Sequence, residues 1–327
     1  YVERNKFYYY TKMILKKPKF WDNVKPTFLA YLLLIFTVPI IVNNLFIDRS
    51  RNRKINKEKN IISICVGNIY IGGTGKTPLS IKISQILSKF NFKTAIVKKF
   101  YADQVDEQKL IANSSKLYCH VNRKEAFEQS IRDECDIAIF DDGLQDKTMI
   151  YDLKFACFNS LKWIGNGFLI PAGPLREKLK SISKFDAIFL NGNEENTTEL
   201  KTLINKYNKN IKIFETYYKS LNIHEFNHND NYLIFSGIGN PDSFKKTLTK
   251  NNLKIIKEII FPDHHQYTKK NINDIKLKAK KLNAKILTTE KDFMKLDNDC
   301  SHDVNYLAIN LVIKNEDKLI DFIRFKK

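Results

Sequence analysis

Gly72-Gly73-Thr74-Gly75-Lys76-Thr77 separates an apolar run, Ile61 to Val66, from a helix-like run, Leu79 to Phe90. A strand that ends in a glycine turn and re-enters a helix through Lys-Thr forms a phosphate cradle. Glycines let backbone N–H groups close around phosphate oxygens, and the helix N-terminus adds partial positive charge. In such a cradle Lys76 reaches the β- and γ-phosphates and the Thr77 hydroxyl binds Mg²⁺. Gly72, Gly73, Thr74, Gly75, Lys76 and Thr77 are therefore expected to hold a nucleoside triphosphate. One position departs from the strict pattern, which wants Gly where Tyr70 stands, so Gly72 and Gly73 must supply the bend. The plain alternative is a turn that binds nothing; the Lys-Thr pair and the strand-helix context argue against it.

Downstream the pattern alternates. Strands are expected at 61–66, 94–97, 116–121, 137–140, 155–158 and 187–190, with helices at 78–90, 123–134 and 197–207. This predicts an α/β fold with a P-loop NTPase-like core domain over residues 60–217. A polar stretch, Tyr218 to Asn231, interrupts it. A second series follows, with strands at 232–236, 255–261, 285–288 and 306–309 and helices at 241–250 and 271–282. It predicts a smaller α/β domain over 218–327, whose closing helix, 315–325, is free to pack back on the core domain.

Ile137-Ala-Ile-Phe-Asp141-Asp142 is an apolar strand delivering two carboxylates. In P-loop proteins such a strand brings an acid beside the phosphates, where it holds Mg²⁺ directly or through water. Ile170-Pro-Ala-Gly-Pro-Leu-Arg176-Glu177 is rigid and loop-like. Arg176 there is either half of a surface ion pair or a neutraliser of charge on the transferring phosphoryl group, with Glu177 a further Mg²⁺ ligand. Phe261-Pro-Asp263-His264-His265 sets a His beside an Asp, either as a surface pair or as a tuned base. Thr288-Thr289-Glu290-Lys291-Asp292 reads as a capped helix start.

Ahead of the glycine loop, Phe28 to Val42 reads FLAYLLLIFTVPIIV, without a charge. About 20 apolar residues are needed to cross a bilayer, so the run is borderline, and Pro39 should bend it. Trp21 and Tyr31 suit an interface, and Lys and Arg flank both ends. The expectation is a membrane anchor or interfacial helix within an N-terminal module of residues 13–59; the bland alternative is a buried core helix. Met13, followed by Ile-Leu-Lys-Lys-Pro-Lys, is expected to open that module, with residues 1–12 upstream of it. No small-residue cleavage site follows the apolar run, which argues against a signal peptide.

The net charge of +19 invites a nucleic-acid partner, but only eight of the 55 basic residues are Arg, the side chain that reads guanine bidentately. The Lys excess runs along the whole chain as background, so no nucleic acid is expected, while an anionic membrane or substrate is favoured. Five cysteines without CxxC spacing fit a reduced compartment and no structural zinc. Nothing in the sequence indicates a protein partner.

Taken together, VGNIYIGGTGKTP (66–78), DDGLQ (141–145), PAGPLRE (171–177), SGIGNPDSF (236–244), FPDHHQYT (261–268) and LTTEKD (287–292) resemble the tetraacyldisaccharide 4′-kinase family, nearly end to end and in order. KPKFW (17–21) resembles the family's N-terminus. The resemblance implies transfer of the γ-phosphate of ATP, with Mg²⁺, to the 4′-hydroxyl of an acylated glucosamine disaccharide 1-phosphate. It also implies the cytoplasmic face of the bacterial inner membrane. In the family an Asp of a Gly-Asp-Glu-Pro segment, assisted by the His of an Asp-His motif, accepts the hydroxyl proton; those positions resemble Asp106 and His264. The chain departs on the acceptor side. Lys98-Lys99-Phe100-Tyr101 replaces Ser-Arg-Gly-Tyr, the segment before Asp106 is shortened, and Val105-Asp106-Glu107-Gln108 replaces Gly-Asp-Glu-Pro. Asp146 stands where His is usual, and Lys178 follows Arg176-Glu177 in place of Pro. The alternative function is a membrane-associated P-loop ATPase, or a degenerate relative that binds ATP without phosphorylating lipid.

Overall fold

A computed structural model describes residues 17–51, 61–102, 104–146, 148–160, 163–192, 197–263 and 265–324. The expected start at Met13 and the residue His264 lie outside them. The chain opens with α1 (Phe28–Leu32) and α2 (Val38–Arg51), then alternates through β1 (Ile62–Gly67), α3 (Lys76–Lys89), β2 (Thr94–Lys99), α4 (Val105–Ser114), β3 (Leu117–His120), α5 (Arg123–Arg132), β4 (Ile137–Asp141), β5 (Leu153–Asn159), β6 (Ala187–Asn191), α6 (Thr198–Tyr207) and β7 (Lys212–Ser220). A second series comprises β8 (Asn231–Ser236), α7 (Pro241–Lys250), β9 (Lys254–Ile260), α8 (Lys269–Lys281), β10 (Lys285–Thr289), α9 (Glu290–Phe293), α10 (Asn298–Ser301) and β11 (Val304–Leu307). β12 (Ile309–Ile313) and α11 (Glu316–Arg324) close the chain.

Eight strands form one sheet in the order β12-β7-β6-β5-β1-β4-β2-β3, parallel except where β12 meets β7. Four strands form a second, parallel sheet in the order β11-β10-β8-β9. The α/β architecture with a P-loop core and a smaller α/β lobe is thus the one expected. The central strands β1, β4 and β6 are buried along nearly their whole length, as parallel strands covered by helices on both faces must be. On one face Ile64, Val66, Ile139 and Phe155 pack against Leu79, Ile83 and Leu87 of α3. On the other, Cys65, Phe140 and Phe158 share a cluster with Ala126 of α5 and Ile204 of α6.

Three departures from the expected elements have physical causes. α4 has only one buried apolar residue, Ile111, so it carries almost no helical periodicity. β7 (Lys212–Ser220) is a strand the sequence reading does not expect, and it enters the polar stretch at Tyr218; its burial is mixed because it lies near the sheet edge, where polar side chains are tolerated. The apolar run expected as one strand at 306–309 is two strands belonging to different sheets. The break falls at Ala308, whose N–H is accepted by Asn222 Oδ1 at 2.9 Å and whose carbonyl accepts the Leu221 N–H at 2.9 Å. β12 and α11 therefore return to the large sheet, where Leu319, Ile320 and Ile323 join the α3 core cluster. Glu316 meets Lys82 at 2.8 Å.

The apolar N-terminal run also differs from a single bent helix. α1 stops after Leu32, a 3₁₀ segment covers Leu33–Thr37, and α2 starts at Val38. Pro39 sits in the first turn of α2, where its missing N–H costs nothing. Among the described residues no helix is long and apolar enough to cross a membrane. Ala30 and Thr37 are buried, whereas Phe28 is 79%, Ile35 71% and Phe36 62% exposed.

Candidate active site at the phosphate loop

β1 delivers the glycine loop at its carboxyl end and α3 begins at Lys76. Gly72 and Gly75 both have positive φ, +132° and +87°. At Gly75, the residue preceding the first turn of α3, a Cβ would also come within 2.4 Å of Asn191 Nδ2 and 2.9 Å of the Tyr218 hydroxyl, so only glycine fits. Asn68 Nδ2 donates to Thr74 Oγ1 at 2.8 Å, bracing the loop from within.

Tyr70 explains the missing glycine of the strict pattern. It is 2% exposed and packs with Leu169 and Leu175, while its hydroxyl meets both Asp22 and Lys17. Burial, reinforced by Asp22, pushes the phenol well above its usual range. The backbone on either side pairs with the proline turn: Ile71 N–H donates to Pro174 O at 2.9 Å and Arg176 N–H to Ile69 O at 2.7 Å. Tyr70 thus fastens the phosphate loop to the Arg176 segment and to the N-terminus. No spacing signal in the sequence connects these three segments.

β4 ends beside the loop. Thr77 Oγ1 donates to Asp141 Oδ2 at 3.0 Å, and Ser80 Oγ to Asp141 Oδ1 at 3.3 Å. Asp142 turns out of the strand with φ +55° and faces Lys76 Nζ at 3.8 Å and Arg176 Nη1 at 3.3 Å. Burial works to raise the Asp142 carboxyl, but Lys76 and then Arg176 outweigh it and hold it below the usual carboxylate range. Gln145 joins the two loops: its Oε1 accepts from Arg176 at 3.2 Å, and its Nε2 donates to Glu177 Oε1 at 2.8 Å and to Asn68 O at 3.0 Å. Lys76, Thr77, Asp141, Asp142, Arg176 and Glu177 are therefore gathered around one cradle. Asp146 has its own partner: Arg123 contacts it at 2.5 Å while donating to the Asp142 carbonyl at 2.9 Å.

The hard oxygens of Thr77 and Asp141 suit Mg²⁺, which keeps several waters and shares its coordination with substrate phosphates. Among the described residues no group of three or more His, Cys, Asp or Glu is placed to hold a metal ion.

Asp106, on the first turn of α4, is buried and lies 3.5 Å from both Lys291 and Lys295, which come from the smaller lobe. Lys291 also meets Glu107 at 3.3 Å and Asp263 at 3.8 Å. Its own burial opposes its charge, but Glu107, Asp263 and Asp106 outweigh that and raise its pKa. Thr289 caps the helix that carries Lys291, accepting from Asp292 N–H at 3.1 Å. The smaller lobe touches the loop itself: a Cβ on Gly239 would come within 2.9 Å of the Gly73 nitrogen. His265 is stacked on Phe261 at 4.6 Å, with Nε2 3.2 Å from Asn271 Oδ1, and so is a packing residue. Lys295 lies outside every motif of the sequence, and Lys98, Lys291, Gln145 and Tyr70 lie inside motifs that give no sign of these contacts.

The family model described as tetraacyldisaccharide-1-P 4′-kinase matches residues 27–326 of this chain. A tetraacyldisaccharide 4′-kinase of Pelagibacter ubique (strain HTCC1062) is 48% identical over 307 residues, covering 94% of this chain and 96% of that protein. One from Rickettsia bellii (strain OSU 85-389) is 33% identical, covering 95% and 98%. Among solved structures, LpxK from Aquifex aeolicus in complex with ATP aligns with a TM-score of 0.67 at 22% identity, over 91% of this chain and 99% of that one; this likeness is one of fold.

Proposed function

Because the chain belongs to the tetraacyldisaccharide-1-P 4′-kinase family, we propose that it transfers the γ-phosphate of ATP to the 4′-hydroxyl of a tetraacyldisaccharide 1-phosphate, using the residues gathered at its phosphate loop. The observation that carries this reading is the Thr77–Asp141 hydrogen bond, at 3.0 Å, beside the glycine loop. It sets a hydroxyl and a carboxylate on one point at a helix N-terminus.

In this mechanism the backbone of Gly72 to Thr77 cradles the β- and γ-phosphates, and Lys76 neutralises charge as it moves toward the leaving oxygen. Thr77 and Asp141, with Asp142 and Glu177 nearby, would hold Mg²⁺, which would supply positive charge to offset that of the phosphates. Arg176 faces the same space and offsets charge on the transferring group. The 4′-oxygen forms a bond to the γ-phosphorus, the bond from that phosphorus to the bridging oxygen breaks, and ADP leaves. The hydroxyl proton passes to Asp106, with His264 as its assistant. Lys291 and Lys295 hold the Asp106 side chain in place from the smaller lobe, which acts as a cover suspended between β7 and β12.

The lipid acceptor accounts for the exposed apolar face of residues 28–42. Phe28, Ile35 and Phe36 present more apolar surface than a water-soluble body keeps without a use for it. We place that face against the cytoplasmic leaflet of the inner membrane, where ATP and acyl chains meet. The deciding experiment supplies the protein in membranes with ATP, Mg²⁺ and the disaccharide 1-phosphate. Phosphorylated lipid is expected; ATP binding without product would favour an ATPase.

A further inference from the structure

Lys98 is the next-to-last residue of β2 and is only 2% exposed. Its ammonium lies 2.6 Å from Asp141 Oδ2 and 2.8 Å from Glu107 Oε2. Asp141 Oδ2 is the same oxygen that accepts from Thr77. The backbone dictates this meeting, because β2 and β4 pair in register at Lys98 and Asp141, and Glu107 follows Asp106 on the first turn of α4. Two carboxylates converging from rigid elements, next to a threonine hydroxyl, make a donor set that a divalent ion would accept. The ammonium stands between them, with three donors for two acceptors.

We propose that Lys98 is a resident cation. It fills the position between Asp141 and Glu107 that a second divalent ion would otherwise take, and so limits the site to the single metal that accompanies the nucleotide. By the same contacts it ties α4, and with it Asp106, to the phosphate-loop carboxylate. Lys98 is thus a positioning residue that acts through Asp141 and Glu107. The inference rests on the kinase reading for the identity of the first metal. A salt bridge this deeply buried is weak evidence for a stabilising role, whereas removing the ammonium alone would leave two carboxylates facing each other.

The test is the number of Mn²⁺ ions bound per chain, counted by electron paramagnetic resonance with a non-hydrolysable ATP analogue present. Wild type and Lys98→Arg are expected to bind one. Lys98→Met is expected to bind a second, and Lys98→Met/Glu107→Gln to lose it again. A melting series covers poor folding: Mn²⁺ should raise the melting temperature of Lys98→Met more than that of wild type, since the ion takes over the missing charge. A folded Lys98→Met that binds no more Mn²⁺ than wild type overturns the proposal. So does a Lys98→Met chain that stays unfolded in saturating Mn²⁺. Neither measurement uses the lipid acceptor, so a wild-type protein that gives no phosphorylated lipid overturns the kinase reading alone.

Discussion

The side-chain amide of Asn44 donates to the backbone carbonyl of Arg176 at 2.9 Å, across 132 residues of sequence. Trp21 does the same for the start of that turn, its indole N–H reaching Pro171 O at 3.0 Å. The apolar N-terminal segment therefore grips both ends of the loop that presents Arg176 to Asp142. Trp21 is buried, so Trp21→Ala should cost about 3–5 kcal/mol of stability. Trp21→Phe keeps one aromatic ring but loses the donor and part of the indole's volume, and should cost less, about 1–3 kcal/mol. Denaturant unfolding of the two variants checks this, and equal losses would show that the hydrogen bond, rather than the packing, dominates.

Lys76 lies 3.8 Å from Asp142, and in the proposed mechanism it is the cation that reads the nucleotide phosphates. Lys76→Ala should lower turnover by about 10²-fold or more, the scale of other preorganised electrostatic contacts. Steady-state kinetics with saturating lipid checks the figure, and a near-normal rate contradicts the assignment of the cradle.

The glycine loop, the Asp141-Asp142 strand end and most of the alternating core were legible in the sequence, because each rests on residues whose spacing along the chain is itself the signal. Contacts between distant segments leave no such trace. Tyr70 looked like a defect in the phosphate loop, yet it anchors that loop to Asp22 and Lys17. Lys98 looked like a departure from a family pattern, and only the register of β2 against β4 reveals that it touches Asp141. α4 was hidden because a helix with one buried apolar residue has no hydrophobic period to read. Hydrophobicity does not record which sheet a strand joins, so the run around residue 308 reads as one strand where there are two.

Asp106 separates base from metal site. The conservative Asp106→Asn change keeps the shape between Lys291 and Lys295 but removes the carboxylate proposed to accept the hydroxyl proton. Turnover should fall by about 10²-fold or more, within the range of general-base effects, while ATP affinity stays near wild type. Equilibrium binding of a non-hydrolysable analogue decides it; a collapse of affinity would move Asp106 to the metal site.

The exposed apolar face should govern membrane contact without touching nucleotide binding. Phe28 and Phe36 both point largely to solvent, so Phe28→Glu/Phe36→Glu should leave the melting temperature and ATP binding nearly unchanged. Sedimentation with anionic phospholipid vesicles should show reduced association, because a carboxylate opposes both apolar burial and the negative leaflet. Undiminished binding would shift the contact to the basic residues of the chain.

Glu215, on β7, offers a pH test remote from the site. Lys201 at 2.5 Å, Thr197 at 2.6 Å and Lys314 at 3.2 Å surround its carboxylate. The bond to Lys201, then that to Thr197, lowers its pKa from 4.5 to about 2. A carboxylate with a depressed folded-state pKa stabilises the protein fully above its unfolded pKa and ceases to do so as pH falls through the folded value. Glu215 joins β7 to α6 and to Lys314, just beyond β12, so its loss should loosen the edge of the large sheet. Glu215→Gln should therefore melt below wild type at neutral pH, and the gap should close as pH drops from 4.5 toward 2. Solvent screening keeps the gap modest, since the side chain is partly exposed. Melting curves of both proteins across that range check the sign, and a gap that widened toward acid would rule out the ion pairs as its source.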